Sequence, residues 1–465
     1  MKEKDLYLKS LLLLFCFLWL NFLSIAQDSK DSLSLKQALQ LSEENYPSLL
    51  AKRHLAQASR NRVAVEKKDA LPKLDLHLQA NYATLNNIYG IFYPQDIVLP
   101  ISGPVSNTSN YDPVFGSAGG IRLAWEPITF GQRKASIDQA QSEFRETQSE
   151  YTNSIFEHKI QVVETYLNWL TAQTMLKVQH SNLERTQVLY TSVHTLALSG
   201  LRPGVDTSMT KAEIAKATVE LNKAVEAEKV FLLRLNQEIG YNNDSIRLSS
   251  GKVFSIGSSS TYSSLPKASS HPILDLYQAR IDIGKSRKSL VNRSYAPRLS
   301  FFATGFARGS GGAINENFDY SMSGLSFTKY NYAVGALLTF PILVYPKIRS
   351  QGRVEDEKLK AQQLLFQEQQ LKLDSEIKVA AVNIQTAIEN ISQTDLQLSA
   401  ARDAYFQMQT RYQAGLTTLP ELYQSLYELN RAELNYASVI IHLWKAKLYQ
   451  SYIKGDLSEF LNEIE

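Results

Sequence analysis

Seven histidines are available as bases or metal ligands: His54, His77, His158, His180, His194, His271 and His442. They are scattered, and none stands in a His-Glu-x-x-His zinc pattern. The one cysteine, Cys16, leaves no disulfide framework and no cysteine-based zinc site. No Gly-Lys-Ser/Thr phosphate loop and no Gly-x-Ser-x-Gly elbow occurs. The stretch 309–312 is Gly-Ser loop chemistry, and the five methionines do not cluster as a soft-metal exporter would require. The sequence therefore offers no catalytic, cofactor-binding or metal-binding set. What remains is the chemistry of a wall: glycines at helix ends, charges beside them, and alternating strands.

Composition narrows the classes. With 49 Lys+Arg against 46 Asp+Glu in 465 residues, the net charge of +3 gives no basis for a nucleic-acid partner. An apolar content of 44% is too high for a disordered chain. Only 14 prolines permit long helices. Lys2, Lys4 and Lys9 precede the apolar run Leu11–Leu20, and Ser24-Ile25-Ala26 offers small residues before Gln27. This is the pattern of a secretory signal over residues 1–26. Phe15 precedes Cys16 where a lipoprotein needs a small residue. No later run is apolar enough for a membrane helix, so any membrane entry must be by strands.

From residue 27 onward one unit is written twice. Tyr46-Pro47 and Pro72 lie 25 residues apart, as do His271-Pro272 and Pro297. Ser199-Gly200-Leu201 aligns with Ala414-Gly415-Leu416 at an offset of 215. Ile155, Val162, Trp169, Leu176, Leu183, Tyr190 and Ala197 recur every seven residues. Ile377, Ile384, Ile391, Leu398, Tyr405 and Tyr412 repeat the series at that same offset. A sustained seven-residue apolar repeat predicts supercoiling helices. The first repeat spans 27–240, with a helix over 34–69 capped by Ser34, a hairpin over 73–126, a long helix over 132–199 and a return helix over 206–239. The second spans 271–452, with a helix over 272–294, a hairpin over 298–340, a long helix over 350–414 and a return helix over 419–452. A Ser-rich linker, 241–270, joins them, and 453–465 is a tail. Each long helix would measure ~90–100 Å at 1.5 Å per residue. Asp206, and Thr417 or Thr418, are the capping candidates for the return helices.

The hairpins change period from 3.6 to 2. Leu74, Leu76, Leu78, Ala80 and Tyr82 alternate with polar residues, as do Ile121, Leu123 and Trp125. Leu299 to Arg308 and Tyr332 to Phe340 read as the second pair of strands, and the loops are 83–118 and 309–330. Ten-residue strands with one apolar face suit a membrane barrel, and the alternative is an ordinary half-buried hairpin. Four strands cannot close a barrel and open edges cannot face lipid. Two chains give a barrel too narrow for a water path, and three give twelve strands and a lumen.

Together these features resemble the TolC family of outer-membrane efflux proteins, over essentially all of 34–452. The residues that carry the resemblance are Tyr46-Pro47, Pro72, Trp125-Glu126-Pro127 with Phe130-Gly131, and Leu198-Ser199-Gly200-Leu201 with Asp206. In the second copy they are His271-Pro272, Pro297, Phe340-Pro341 and Arg411 to Leu416. The resemblance implies a mainly α chain with membrane β: a homotrimer with a twelve-stranded barrel in outer-membrane lipid above a periplasmic α-helical tunnel. The linker and chain ends would girdle that tunnel. Gly200, Leu201, Asp206, Gly415 and Leu416 would form the tip that docks a periplasmic adaptor protein, with an inner-membrane transporter supplying the energy. No cofactor is implied.

The resemblance also implies an entrance gate over Tyr412 to Gln424, flanked by Arg411. Glu421 stands where the family usually has Asp, Thr417 where some members have Arg, and Gln424 where some have a second Asp. The Arg-to-Asp latch of those members cannot form here in the same way, and Arg411 and Arg202 are the substitutes at hand. Repeated threefold, Glu421 would give a ring of negative charge favouring cations. A glutamate in a first helical turn is equally ordinary dipole complementarity. The rival classes are a periplasmic or surface coiled-coil scaffold without channel activity, and an uptake porin or adhesin. The long helices argue against the latter.

Overall fold

The computed structural model describes residues 33–84, 86, 108–240, 271–312 and 318–464. The expected signal over 1–26 and the linker 241–270 lie outside the described residues. In chain order the elements are α1 (Leu35–Asn45), α2 (Pro47–Lys68), β1 (Lys73–Ala83), β2 (Val114–Ile128), α3 (Gln132–Leu198) and α4 (Gly204–Ile239). Then come α5 (Pro272–Arg293), β3 (Arg298–Ser310), β4 (Lys329–Thr339), α6 (Tyr345–Gln413), α7 (Leu419–Lys454) and α8 (Ser458–Ile464). The helix–hairpin–long helix–return helix unit thus occurs twice. No described helix is long and apolar enough to cross a membrane.

Several boundaries differ from the sequence expectations, each for a local reason. The helix expected over 34–69 is two helices. Ser34 caps α1 as expected, its hydroxyl accepting from Gln37 N–H at 3.3 Å while Gln37 Oε1 accepts from Ser34 N–H at 2.9 Å. Tyr46 is extended (φ −70°, ψ 119°) because it precedes Pro47, which opens α2. Strand β2 begins at Val114, inside the expected loop 83–118, and β4 at Lys329. The second long helix starts at Tyr345, ahead of the expected 350, after a 3-10 turn over Ile342–Val344. It runs through Gly352, whose missing Cβ would lie 3.2 Å from Asn292 Oδ1 on α5. The expected tail 453–465 contains α8, whose Phe460 and Ile464 are buried.

The chain divides into two units. One comprises the described residues of Met1–Ala51, Thr152–Pro272 and Leu371–Glu465. Its main core joins Leu35 and Leu39 of α1, Val162, Tyr166, Leu167 and Leu170 of α3, Leu235 and Ile239 of α4, and Ile440 and Trp444 of α7. Each such large apolar side chain contributes ~1.5–3 kcal/mol on burial. A second cluster joins Leu189 and Val193 of α3 to Leu398, Tyr405 and Tyr412 of α6 and Leu419, Leu422 and Leu426 of α7. The heptad positions Val162, Trp169, Ile384, Leu398, Tyr405 and Tyr412 are buried, and Leu176, Leu183 and Tyr190 half-buried. Ala380, Ala387 and Thr394 of α6 form the interleaved buried row, so this helix packs one narrow seam. Leu371, Val382, Leu396 and Phe406 lie off that seam and stay uncovered in the single chain.

The other unit comprises Lys52–Tyr151 and Ile273–Gln370 and holds the sheet. Strand passes to helix at Phe130 (φ 46°) and Gly131 (φ 95°), a left-handed corner. The Arg133 side chain fastens that corner by donating to the carbonyls of Pro127 (3.2 Å) and Glu126. Ion pairs Arg280–Glu146 (3.4 Å) and Lys288–Asp356 (2.5 Å) link α5 to the two long helices.

Candidate functional site

The four strands form one antiparallel sheet in the order β1-β2-β3-β4. Its register sorts the side chains by chemistry. Leu76 opposes Ile121, Ile121 opposes Gly305, and Gly305 opposes Tyr332. The same face carries Leu74, Leu78, Tyr82, Leu123, Trp125, Phe301, Val334 and Leu338, by alternation along each strand. This face is bare: Leu78 is 74% exposed, Val334 78% and Tyr332 86%. From Leu74 to Tyr82 the strand rises about 26 Å, close to the height of a membrane apolar band. Aromatics mark its two ends, with Tyr82, Phe115 and Tyr330 at the loop end and Trp125 and Phe301 at the helix end. Such girdles sit at membrane interfaces. The Trp125 indole also donates to Ala70 O at 2.9 Å, which ties the lower girdle to the end of α2. The opposite face carries the charged side chains of the strands with Gln79, Asn81, Ser300, Thr304 and Asn331, and Phe302, Phe306 and Leu337 stand among them. Strands β1 and β4 each pair on one side only, which leaves two open edges.

In the other unit the two helix-ending turns are built alike. Gly200 (φ 69°) and Gly415 (φ 78°) take the left-handed conformation that glycine reaches without a Cβ clash. Leu201 N–H donates to Leu196 O at 2.9 Å and Gly200 N–H to Ala197 O at 3.1 Å. Leu416 N–H donates to Arg411 O at 2.8 Å and Gly415 N–H to Tyr412 O at 3.0 Å. Both are Schellman closures. They leave Leu201 71% and Leu416 69% exposed, so each turn presents one bare leucine.

Side chains join the two turns. Arg202 Nη2 donates to Tyr412 O at 2.6 Å, and its guanidinium carbon lies 4.3 Å from the centre of the Tyr412 ring. The Tyr412 hydroxyl donates to Asp206 Oδ2 at 3.2 Å. Burial, then the negative charge of Asp206 and this hydrogen bond, push the Tyr412 hydroxyl up to about 12. It therefore remains a proton donor throughout the ordinary pH range. Asp206 is not the cap of α4. The helix begins at Gly204 with Pro203 at its cap, and Asp206 sits in the first turn with its carboxylate turned to Tyr412. Thr418 is the N-cap of α7, and its N–H donates to Glu421 Oε2 at 2.9 Å. The Thr417 hydroxyl donates to that same oxygen. These donors, the Thr417 hydroxyl first, hold the exposed Glu421 carboxyl below the usual glutamate value.

The defining sequence pattern of the outer membrane efflux proteins matches residues 38–241 and 292–440. The chain belongs to the outer membrane efflux protein family. No curated protein sequence matches it closely enough to add to this. Solved structures agree on the fold. One, described as CusC with conformational changes accompanying folding and transmembrane channel formation, is 12% identical. The match covers 91% of this chain and 92% of that one, with a TM-score of 0.74. The outer membrane protein VceC of Vibrio cholerae is 15% identical over 91% and 96%, with a TM-score of 0.69. The Campylobacter jejuni CmeC outer membrane channel is 16% identical over 92% and 88%, also at 0.69.

Within this efflux protein, the residues singled out from the sequence divide into those brought together and those left apart. Asp206 and Tyr412 meet, and Arg202 joins them. Arg411 is exposed, with its charge acting on Glu421, and it makes no ion pair among the described residues. Gln424 instead donates along its own helix to Glu428 at 3.3 Å. The sequence reading missed a second polar tie, where Lys216 Nζ donates to the Tyr427 hydroxyl at 2.6 Å and that hydroxyl donates to Glu213. It also missed Arg185, whose two terminal nitrogens hold Glu433 at 3.0 and 2.6 Å. Tyr423 and Tyr427 stand four apart on α7, and Glu213 and Lys216 three apart on α4, a face-matching signal that was readable.

Proposed function

We infer that three copies of this chain close their sheets into a twelve-stranded barrel in the outer membrane. It gives solutes a passive exit from the periplasm. The carrying observation is the bare apolar face bounded by aromatics, on a sheet whose two edges are open. Open edges cannot face lipid, and closure by copies removes them. The polar face then lines water. The long helices wall a tunnel of their own, with their bare apolar positions covered by neighbouring copies. The efflux itself needs no chemistry from this chain, which serves as conduit for an energy-supplying inner-membrane transporter.

The two turns form the periplasmic tip. Their bare leucines, Leu201 and Leu416, are the docking points for a periplasmic adaptor protein. Tyr412, Asp206 and Arg202 form the latch that holds the second-copy turn against the first, and Glu421, beside Arg411 and Gln424, rims the entrance. The test is a strain lacking this chain, complemented by variants. Leu201→Asp with Leu416→Asp should leave trimer in the outer membrane, abolish adaptor pull-down and return substrate retention to that of the deletion. Undiminished pull-down and efflux would refute the docking assignment.

A further inference from the structure

We propose that the barrel is an exit for anionic solutes, selected by an excess of fixed cations on the polar face of the sheet. This rests on the reading of that face as the barrel lining. The register places Lys73 and Asp75 of β1, Arg122 of β2, Arg298 and Arg308 of β3 and Lys329 of β4 on one side, opposite in sense to Leu76, Ile121 and Tyr332. Glu126 joins them, since it accepts from Ser300 of the same face at 3.4 Å. Among the described residues, five cations therefore stand against two carboxylates on this face.

Their arrangement is one-sided. Asp75 opposes Arg122 in the register, and Glu126 sits at the helix end against Ser300. Towards the loop end Arg308 directly opposes Lys329. Like charges facing each other across a strand pair destabilise a sheet, so packing alone does not account for the pair. Arg308 leans on the Phe306 ring at 5.4 Å, and no carboxylate among the described residues pairs with either cation. The loop carboxylate Asp319 is taken up by Ser321 N–H at 2.8 Å and the Ser323 hydroxyl. The five cations are exposed. They would be costly against lipid and are inexpensive against water. In a tube closed by three copies, the loop-end pair becomes a ring of cations in a confined aqueous path. Such a ring raises the local concentration of anions and repels cations. The favoured cargo is a carboxylated, sulfonated or phosphorylated solute. The Glu421 carboxylates belong to the other unit.

The experiment uses trimers extracted from the outer membrane and inserted into planar bilayers under a KCl gradient. The reversal potential of the wild type should show chloride preferred over potassium. The triple variant R122Q, R308Q and K329Q should lower the chloride-to-potassium permeability ratio by about threefold or more. The charge-preserving pair R308K and K329R should keep the wild-type ratio. Glu421→Gln should leave the effect of the triple variant in place. Inorganic tripolyphosphate added on the loop side should block wild-type current at concentrations where spermine does not, a readout that needs no substitution. Potassium preference in the wild type, an unchanged ratio in the triple variant, or block by spermine alone would overturn the proposal. Absence of any trimer or conductance would overturn the barrel reading itself, and this inference with it.

Discussion

At the residue scale, Tyr412 concentrates the chemistry of the proposed tip. Its ring is buried under Arg202, its carbonyl accepts from the same guanidinium, and its hydroxyl reaches Asp206. Tyr412→Phe removes only the last of these. A hydrogen bond to a carboxylate contributes about 1.5–3 kcal/mol. The expected outcome is an intact trimer whose single-channel conductance rises because the turn is released. Unchanged conductance with intact trimer would show that the bond is not a latch. Glu421 gives a pH prediction. Its folded value is below its unfolded one, so its stabilisation is present above the unfolded value and is lost as pH falls through the folded one. Thermal melts of the wild type should therefore drop below about pH 4.5, and Glu421→Gln should flatten that portion of the profile. An unchanged acid limb would show that the carboxylate does not hold Thr417 and Thr418. The pairing of Asp206 with Tyr412 was not legible, because the two lie 206 positions apart in the chain. Sequence spacing reports neighbours on one helix and says nothing of which turn meets which.

At the element scale, the long helices were legible because their apolar residues keep one frame over many turns. Trp169 is 4% exposed, and its indole donates to Glu228 Oε1 at 2.9 Å. Trp169→Asp should cost at least about 3–5 kcal/mol through lost packing and an unpaired buried charge. Loss of the trimer and a lowered melting temperature are expected, and an unchanged melt would place Trp169 at the surface. Gly200 and Gly415 were readable as helix stops, since each is followed by leucine at the end of a long stretch free of proline, at matching points of the two copies. Nothing lies within 4 Å of a Cβ added at either glycine, so substitution meets strain in φ alone. Each Val there should cost roughly 1–2 kcal/mol locally. The double variant Gly200→Val, Gly415→Val should thus be exported and trimeric yet fail in adaptor pull-down. Wild-type pull-down would remove these turns from the docking surface. The break at Tyr46 was readable from Pro47, whereas α8 was not, because a seven-residue helix supplies barely two turns of periodicity.

At the scale of the whole molecule, the alternation of the strands announced a two-faced sheet, and the register added what alternation could not. It set Leu76, Ile121, Gly305 and Tyr332 side by side across four strands and gathered the cations on the reverse. A single chain leaves that apolar face and both sheet edges bare, and the proposed trimer closes them with its further copies. The most direct test is the mass of the particle extracted from the outer membrane in mild detergent, measured with the detergent contribution subtracted. Three chains in one particle is the predicted result. A particle of one or two chains, or recovery of the chain only from the soluble periplasmic fraction, would contradict it.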